Sequence, residues 1–233
     1  MLRKILFLIL LFSVTGFSQN KDPDEILENV IKAFEKIEDY VVDVNIKVDV
    51  TFLKVPEANA KIYFKQPDKV HMESEGFALL PKQGMNFSPL GFLKTDYTAL
   101  YDKEVELNGA NVSVLKVIPL DERSDVILST FWIDQVTNRI MKVESSRRPG
   151  GTFSIDLTYP EDKPDFLLPV SMVFTFAIED IHFPTGITGD SNSESNTENE
   201  KEHKDKTGKV YINYSNYKIN QGLSDDLFED EKE

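Results

Sequence analysis

The chain contains no cysteine, one tryptophan and three histidines among its 233 residues. Without cysteine there is no disulfide framework, no thiolate-bound zinc or iron–sulfur site and no thiol nucleophile. Packing alone has to hold the fold. Positive charge is also scarce, since 26 basic side chains stand against 40 acidic ones and leave a formal charge of −14. That balance argues against nucleic acid as a partner, because such binding draws its affinity from Lys and Arg on phosphates. It equally disfavours adsorption to an anionic membrane surface.

The three histidines are scattered. His71 falls on the polar phase of a strand, His182 lies just before Pro184 and His203 lies in a polar tract, with no HExxH spacing among them. A GxSxG elbow, a phosphate-binding loop and a dinucleotide fingerprint are absent as well. Asp121, Glu122, Asp125 and Asp134 read as solvated residues of turns and strand ends, and the tract from Asp190 to Asn196 lacks the Gly and Glu positions of a calcium loop. No catalytic residue, metal site or cofactor is assigned, and the chain is not read as an enzyme.

Long apolar runs are rare too. One stands out: Ile5 to Phe12 follows the positive Arg3 and Lys4 and precedes Gly16-Phe17-Ser18, which sets small residues before Gln19. The run is too short for a membrane span, which needs about 20 residues. Residues 1–18 therefore read as a cleaved secretory signal peptide, with 19–233 as a single domain working outside the cytoplasm.

Amphipathic periodicity is abundant in the remainder of the chain. Asp22 suits an N-cap, Pro23 a first helical position and Glu25 a capping box, while Ile26, Leu27, Val30, Ile31, Phe34 and Ile37 share one side of a helix. The period then falls to two. Val42, Val44, Ile46, Val48, Val50 and Phe52 alternate with polar residues in a long strand, Ala58 to Phe64 make a second and Val70 and Met72 open a third. Further strands are expected at Tyr97 to Glu104, Asn111 to Pro119, Ile127 to Asp134, Asn138 to Arg147, Thr152 to Tyr159, Val170 to Glu179 and Lys209 to Ile219. The class is α+β, with about ten antiparallel strands in meander order after one helix.

Two stretches break the pattern. Gly76 to Leu93 is rich in Phe, Leu and Met but punctuated by Gly and Pro, which predicts a loop that either caps an open end of the core or meets a ligand. Pro184 to Gly208 is almost wholly polar and reads as a disordered insertion between two strands. A curved sheet with a wide dry face and one helix must close on itself, fill its concavity or leave room for an apolar ligand.

Four segments in this order, EILENVIKAFEKIEDYVVDVNIKV (Glu25 to Val48), AKIYFKQPDKVHME (Ala60 to Glu73), FWIDQVTNRIMKVE (Phe131 to Glu144) and YSNYKINQGLSDDLFE (Tyr214 to Glu229), resemble the periplasmic outer-membrane lipoprotein carrier and sorting proteins. The resemblance implies an unclosed antiparallel β-barrel of about 10–11 strands with helices in its concave side. It further implies a periplasmic location and a cavity that binds the acyl chains of a lipoprotein or other lipid. A membrane-bound donor or acceptor protein would be a partner. Relatives of this fold also act as envelope sensors that bind a protein, which leaves an interaction module as the alternative. On the carrier picture the lipid-binding candidates on strands are Val44, Ile46, Val48, Val50, Phe52, Ile62, Phe64, Val70 and Met72. Those on the loop are Phe77, Leu79, Met85, Phe87 and Phe92. Met and Phe suit a site that adapts to flexible chains. Ordinary core packing is the competing role for each strand residue.

Overall fold

The computed structural model describes residues 21–50, 55–74, 93, 96–148, 151–177 and 207–229. The expected signal peptide, most of the expected 184–208 insertion and the 190–196 tract lie outside them, as do Phe52, Phe77, Leu79, Met85, Phe87 and Phe92.

Helix α1 (Pro23–Phe34) starts where the N-cap chemistry places it, with the Asp22 carboxylate accepting the amide proton of Asp24 at 3.0 Å. Asp24 and Glu25 in its first turn and Lys32 in its last complement the helix dipole. Ile26, Leu27, Val30, Ala33 and Phe34 are buried, so the apolar stripe is the face turned to the sheet. Ile31 on its flank is only half-buried.

Ten strands come after it: β1 (Asp39–Asp49), β2 (Ala58–Lys65), β3 (Lys69–Ser74), β4 (Tyr97–Leu107), β5 (Ala110–Pro119), β6 (Val126–Asp134), β7 (Arg139–Arg147), β8 (Thr152–Thr158), β9 (Ser171–Ala177) and β10 (Thr207–Ile219). A short 3-10 helix, Asp225–Phe228, comes last. All pairings are antiparallel, and the sheet order is β3-β2-β1-β10-β9-β8-β7-β6-β5-β4. β3 and β4 are the two edges, so the sheet is unclosed.

This order corrects the expected simple meander. β4 to β10 do run as a meander, but β1 pairs with β10, which sets the first three strands beyond the last. Alternating side chains fix which face of a strand is dry and carry no record of its neighbour. Boundaries also move. The first strand begins at Asp39 rather than Val42, β4 continues to Leu107, and Thr207 and Gly208 belong to β10 rather than to the polar insertion. β4 runs on because Asn108 and Gly109, at φ 51° and 81°, turn it tightly into β5.

Along β1 the burial alternates as the sequence does, with Val42, Val44 and Ile46 buried beside exposed or half-buried polar neighbours. A bulge lies between β1 and β10, where Asn216 takes φ 56° and its amide donates to the Asp43 carboxylate at 3.0 Å. The extra residue resets the alternation. Tyr214 and Tyr217, three apart, thereby both pack on the core.

One end of the concave face is filled by rings. Tyr40 stacks on Phe64 with centroids 4.9 Å apart, Phe34 meets Phe64 edge-on at 5.7 Å, and Phe166 meets Tyr217 at 5.5 Å. Arg139, itself buried, donates from Nη2 to the carbonyls of Lys163 and Phe166 at 2.6 and 2.8 Å, and the Tyr217 hydroxyl donates to the Pro169 carbonyl at 2.8 Å. These bonds pin the β8–β9 connection over that end. The C-terminal segment is held by Asp39, whose buried carboxylate accepts amide protons from Gln221, Gly222 and Leu223 at 2.6, 2.8 and 3.1 Å. Past it, Asp225 meets Lys65 and Lys69 at 2.7 and 2.9 Å.

Candidate functional site

The concave face is built from cross-strand rows. One runs from Val48 on β1 through Val210, Phe174, Ile155, Val143 and Phe131 to Leu115 and Tyr101 on β4. Every member is apolar or aromatic. Such a row exists because residues two apart on each strand share a face and antiparallel register sets them opposite one another.

The apolar residues of this face form two clusters. The larger includes Leu27, Val30 and Phe34 of α1 with Val44, Ile46, Ile62 and Phe64 of the first strands. Those four sequence candidates are buried in the cluster that also holds the helix, and Val70 and Met72 are half-buried against the same cluster. The second cluster contains no residue of α1. It consists of Val50 and Phe176, with Val48, Phe153, Phe174 and Val210 half-buried around them, and the last three pack against the larger cluster as well.

Here two sequence candidates, Val48 and Val50, meet four residues that sequence reasoning did not choose. Phe153, Phe174, Phe176 and Val210 come from β8, β9 and β10 and reach β1 only through the β1–β10 pairing. Each lies on the apolar phase of a strand the sequence did indicate, so alternation was the available signal and strand order the missing one.

The three phenylalanines form a wall, with Phe153 and Phe176 each 5.4 Å from Phe174, centroid to centroid. Gly208 makes room for it. A Cβ at that position would stand 2.5 Å from Phe176 Cζ and 3.1 Å from Val50 Cγ2, so the ring lies directly across the glycine backbone. Beside the wall, Ser145 faces Phe153 across the strands, and its hydroxyl oxygen is 2.7 Å from that of Ser129. Both serines are buried.

The convex side is polar and ionic, with pairs such as Lys61–Asp43 at 3.4 Å and Lys116–Asp102 at 3.4 Å. His71 is a surface residue there, 3.9 Å from Glu73. Three of the acids read as turn and strand-end residues have partners: Asp121 is held by Arg123 at 3.1 Å, Asp125 by the Nε of Arg147 at 3.0 Å, and Asp134 by the Val136 amide at 2.9 Å. Among the described residues no group of three or more His, Asp or Glu side chains is placed to hold a metal ion, and no helix is long and apolar enough to cross a membrane.

Between α1 and β4 lies a groove of about 730 Å³. Asp22, Asp24, Glu25, Glu28 and Asp96 rim it, and Ile31, Leu93, Tyr97 and Leu120 supply its apolar surface. Burial, and then the Asp24 and Glu28 carboxylates, raise the Tyr97 phenol above its ordinary range.

No family model matches the chain, and no curated protein matches it in sequence. Solved structures do match it in fold. A domain described as an outer membrane lipoprotein-sorting protein from Vibrio parahaemolyticus aligns with 89% of this chain and 97% of its own at 15% identity, with a TM-score of 0.53. A DUF1329 family protein from Desulfovibrio piger aligns over 90% and 98% at 11% identity with a TM-score of 0.59. A LolA superfamily protein from Nitrosomonas europaea does so over 90% and 98% at 12% identity with a TM-score of 0.55. At such identities the likeness is one of architecture, and the chain has the unclosed half-barrel fold of these lipoprotein-sorting and LolA superfamily proteins.

Proposed function

We propose that the mature chain is a periplasmic carrier that holds lipid acyl chains against its concave face, with outer-membrane lipoproteins as cargo, and that it is not an enzyme. The observation that carries this reading is the second apolar cluster. Val48, Phe153, Phe174 and Val210 are only half-buried although they lie on the dry face of an open sheet, and the Val50–Phe176 cluster they surround has no α1 residue among its described members. The likeness in fold to a lipoprotein-sorting domain supports the same reading. The physical need is large. Burying one methylene is worth about 0.8 kcal/mol, so a chain of roughly sixteen carbons exposed to water costs on the order of 12 kcal/mol. A carrier has to offer an apolar surface of that length.

Native mass spectrometry of gently purified protein tests the proposal, and bound lipid released on denaturation is the expected result. Phe174→Asp should abolish binding of a fluorescent acyl probe while the far-ultraviolet dichroism stays unchanged. A protein that carries no lipid and binds no acyl probe ends the proposal. The loop candidates Phe77, Leu79, Met85, Phe87 and Phe92 remain part of it, and Phe87→Asp is expected to weaken the same probe.

The acidic groove beside α1 favours a second reading, a module that binds a protein partner without lipid. An apolar floor rimmed by carboxylates suits a basic, apolar segment of a membrane-bound donor or acceptor. Asp24→Lys with Glu25→Lys should release such a partner in a pull-down and leave acyl-probe binding intact.

A further inference from the structure

The paired hydroxyls of Ser129 and Ser145 are out of place on an apolar face. Ser145 is 0% exposed and Ser129 4%, their oxygens are 2.7 Å apart, and their strand neighbours Phe131 and Val143 are fully buried. Two hydroxyl groups bring two donor protons. The contact between them uses one. Among the described residues no acceptor takes the other, because the only hydrogen bond at either side chain is the one they share. A buried donor left without an acceptor is costly, so a proton that finds none among the described residues of this concave face points to an acceptor that arrives with a ligand.

The surroundings define that acceptor. Across the strands Ser145 faces Phe153 of the aromatic wall, and Ser129 faces Val117. Arg147, two residues along the strand from Ser145, is engaged by Asp125 through its Nε at 3.0 Å. An anionic oxygen would enter an apolar floor with no counter-charge, which is prohibitive. A neutral carbonyl oxygen asks only for one donor.

Resting on the reading of this face as an acyl-chain site, we propose that the Ser129–Ser145 pair is a carbonyl anchor. One serine donates to the other, and the second donates to the ester or amide carbonyl of the cargo while the hydrocarbon lies along Phe153, Phe174 and Phe176. The substrate class is thus acyl esters and acyl amides, as in glycerolipids and acylated peptides, rather than free fatty acids.

The test compares a long-chain methyl ester with the n-alkane of equal heavy-atom count, each displacing a fluorescent apolar probe from the full mature protein. In the Ser129→Ala, Ser145→Ala double variant the ratio of ester to alkane affinity should fall about fivefold, the size of one hydrogen bond. Each single variant should keep the wild-type ratio, because the serine that remains has its own proton free for the ligand. A pair that served only the fold would lose its bond in either single variant. Infrared spectra of a carbonyl-labelled ester bound to wild-type protein should show a hydrogen-bonded band, and this measurement stands if the double variant fails to fold. An unchanged ratio in the double variant, or a carbonyl band at the position found in alkane solvent, overturns the anchor and leaves the cavity standing. Failure of probe and both ligands to bind wild-type protein overturns the cavity and the anchor together.

Discussion

Gly208 shows how much one missing methyl group decides. With a Cβ position 2.5 Å from the Phe176 ring, an alanine would force that ring off its place between Gly208 and Val50, where it is nearly fully buried. Overpacking of this kind costs typically about 1–3 kcal/mol. Gly208→Ala is therefore expected to lower stability to urea by an amount in that range and to change acyl-probe affinity at once. A variant unaltered in both would show that the ring moves freely.

Asp225 acts at the same scale through charge. Hydrogen bonds from Lys65 and Lys69, with their positive charges, hold its carboxyl down to about 2, below its ordinary value of 3.8. A carboxyl depressed by folding contributes stability above its unfolded pKa and loses it as pH falls through the folded one. The contribution should fade between about pH 4 and pH 2. Urea midpoints over this window should drop less steeply in Asp225→Asn than in the wild type, and parallel curves would remove Asp225 from the acid response.

Among the elements, α1 is the one that divides the concave face. Its buried residues share one cluster with Val44, Ile46, Ile62 and Phe64, whereas the cluster of Val50 and Phe176 has no α1 residue among its described members. Leu27 is fully buried in the larger cluster. Leu27→Ala should cost about 3 kcal/mol through lost burial and the cavity left behind. Equilibrium urea unfolding measures this, and a loss below about 1 kcal/mol would mean the helix packs far more loosely than its burial indicates. The β1–β10 pair is the other decisive element, since it brings the wall of β8, β9 and β10 against the first strand. Its bulge at Asn216 turns Tyr217 to the core, a facing that alternation from Tyr214 would have given to Asn216.

For the whole molecule, four tyrosines packed on the core tie the fold to pH from the alkaline side. Burial pushes the phenols of Tyr40, Tyr159, Tyr214 and Tyr217 well above their ordinary range. Their unfolded counterparts titrate near 10, so the neutral forms stabilise the native state below that value and the stability is lost as pH rises beyond it. Ultraviolet titration should show these four ionising together with loss of the dichroism spectrum. Ionisation near pH 10 in a still-folded protein would place them in contact with solvent.

The limits of the sequence obey the same division of scale. Alternation of Val42, Val44 and Ile46 with polar residues, the Asp22-Pro23 start of the helix and the turn residues between strands are local facts, and α1 and the ten strands appear where those patterns place them apart from shifts at their ends. They determine the α+β class, the strand count and the dry phase of the strands, because backbone period and turn conformation depend on neighbours a few positions away. Which strand lies beside which is settled by pairing across most of the chain, and only the tertiary structure could join Val48 and Val50 to Phe153, Phe174, Phe176 and Val210. The paired serines were hidden for the same reason. Ser129 and Ser145 are ordinary residues on their own strands, and they become a site only when β6 and β7 set their hydroxyls 2.7 Å apart on a face that is otherwise apolar.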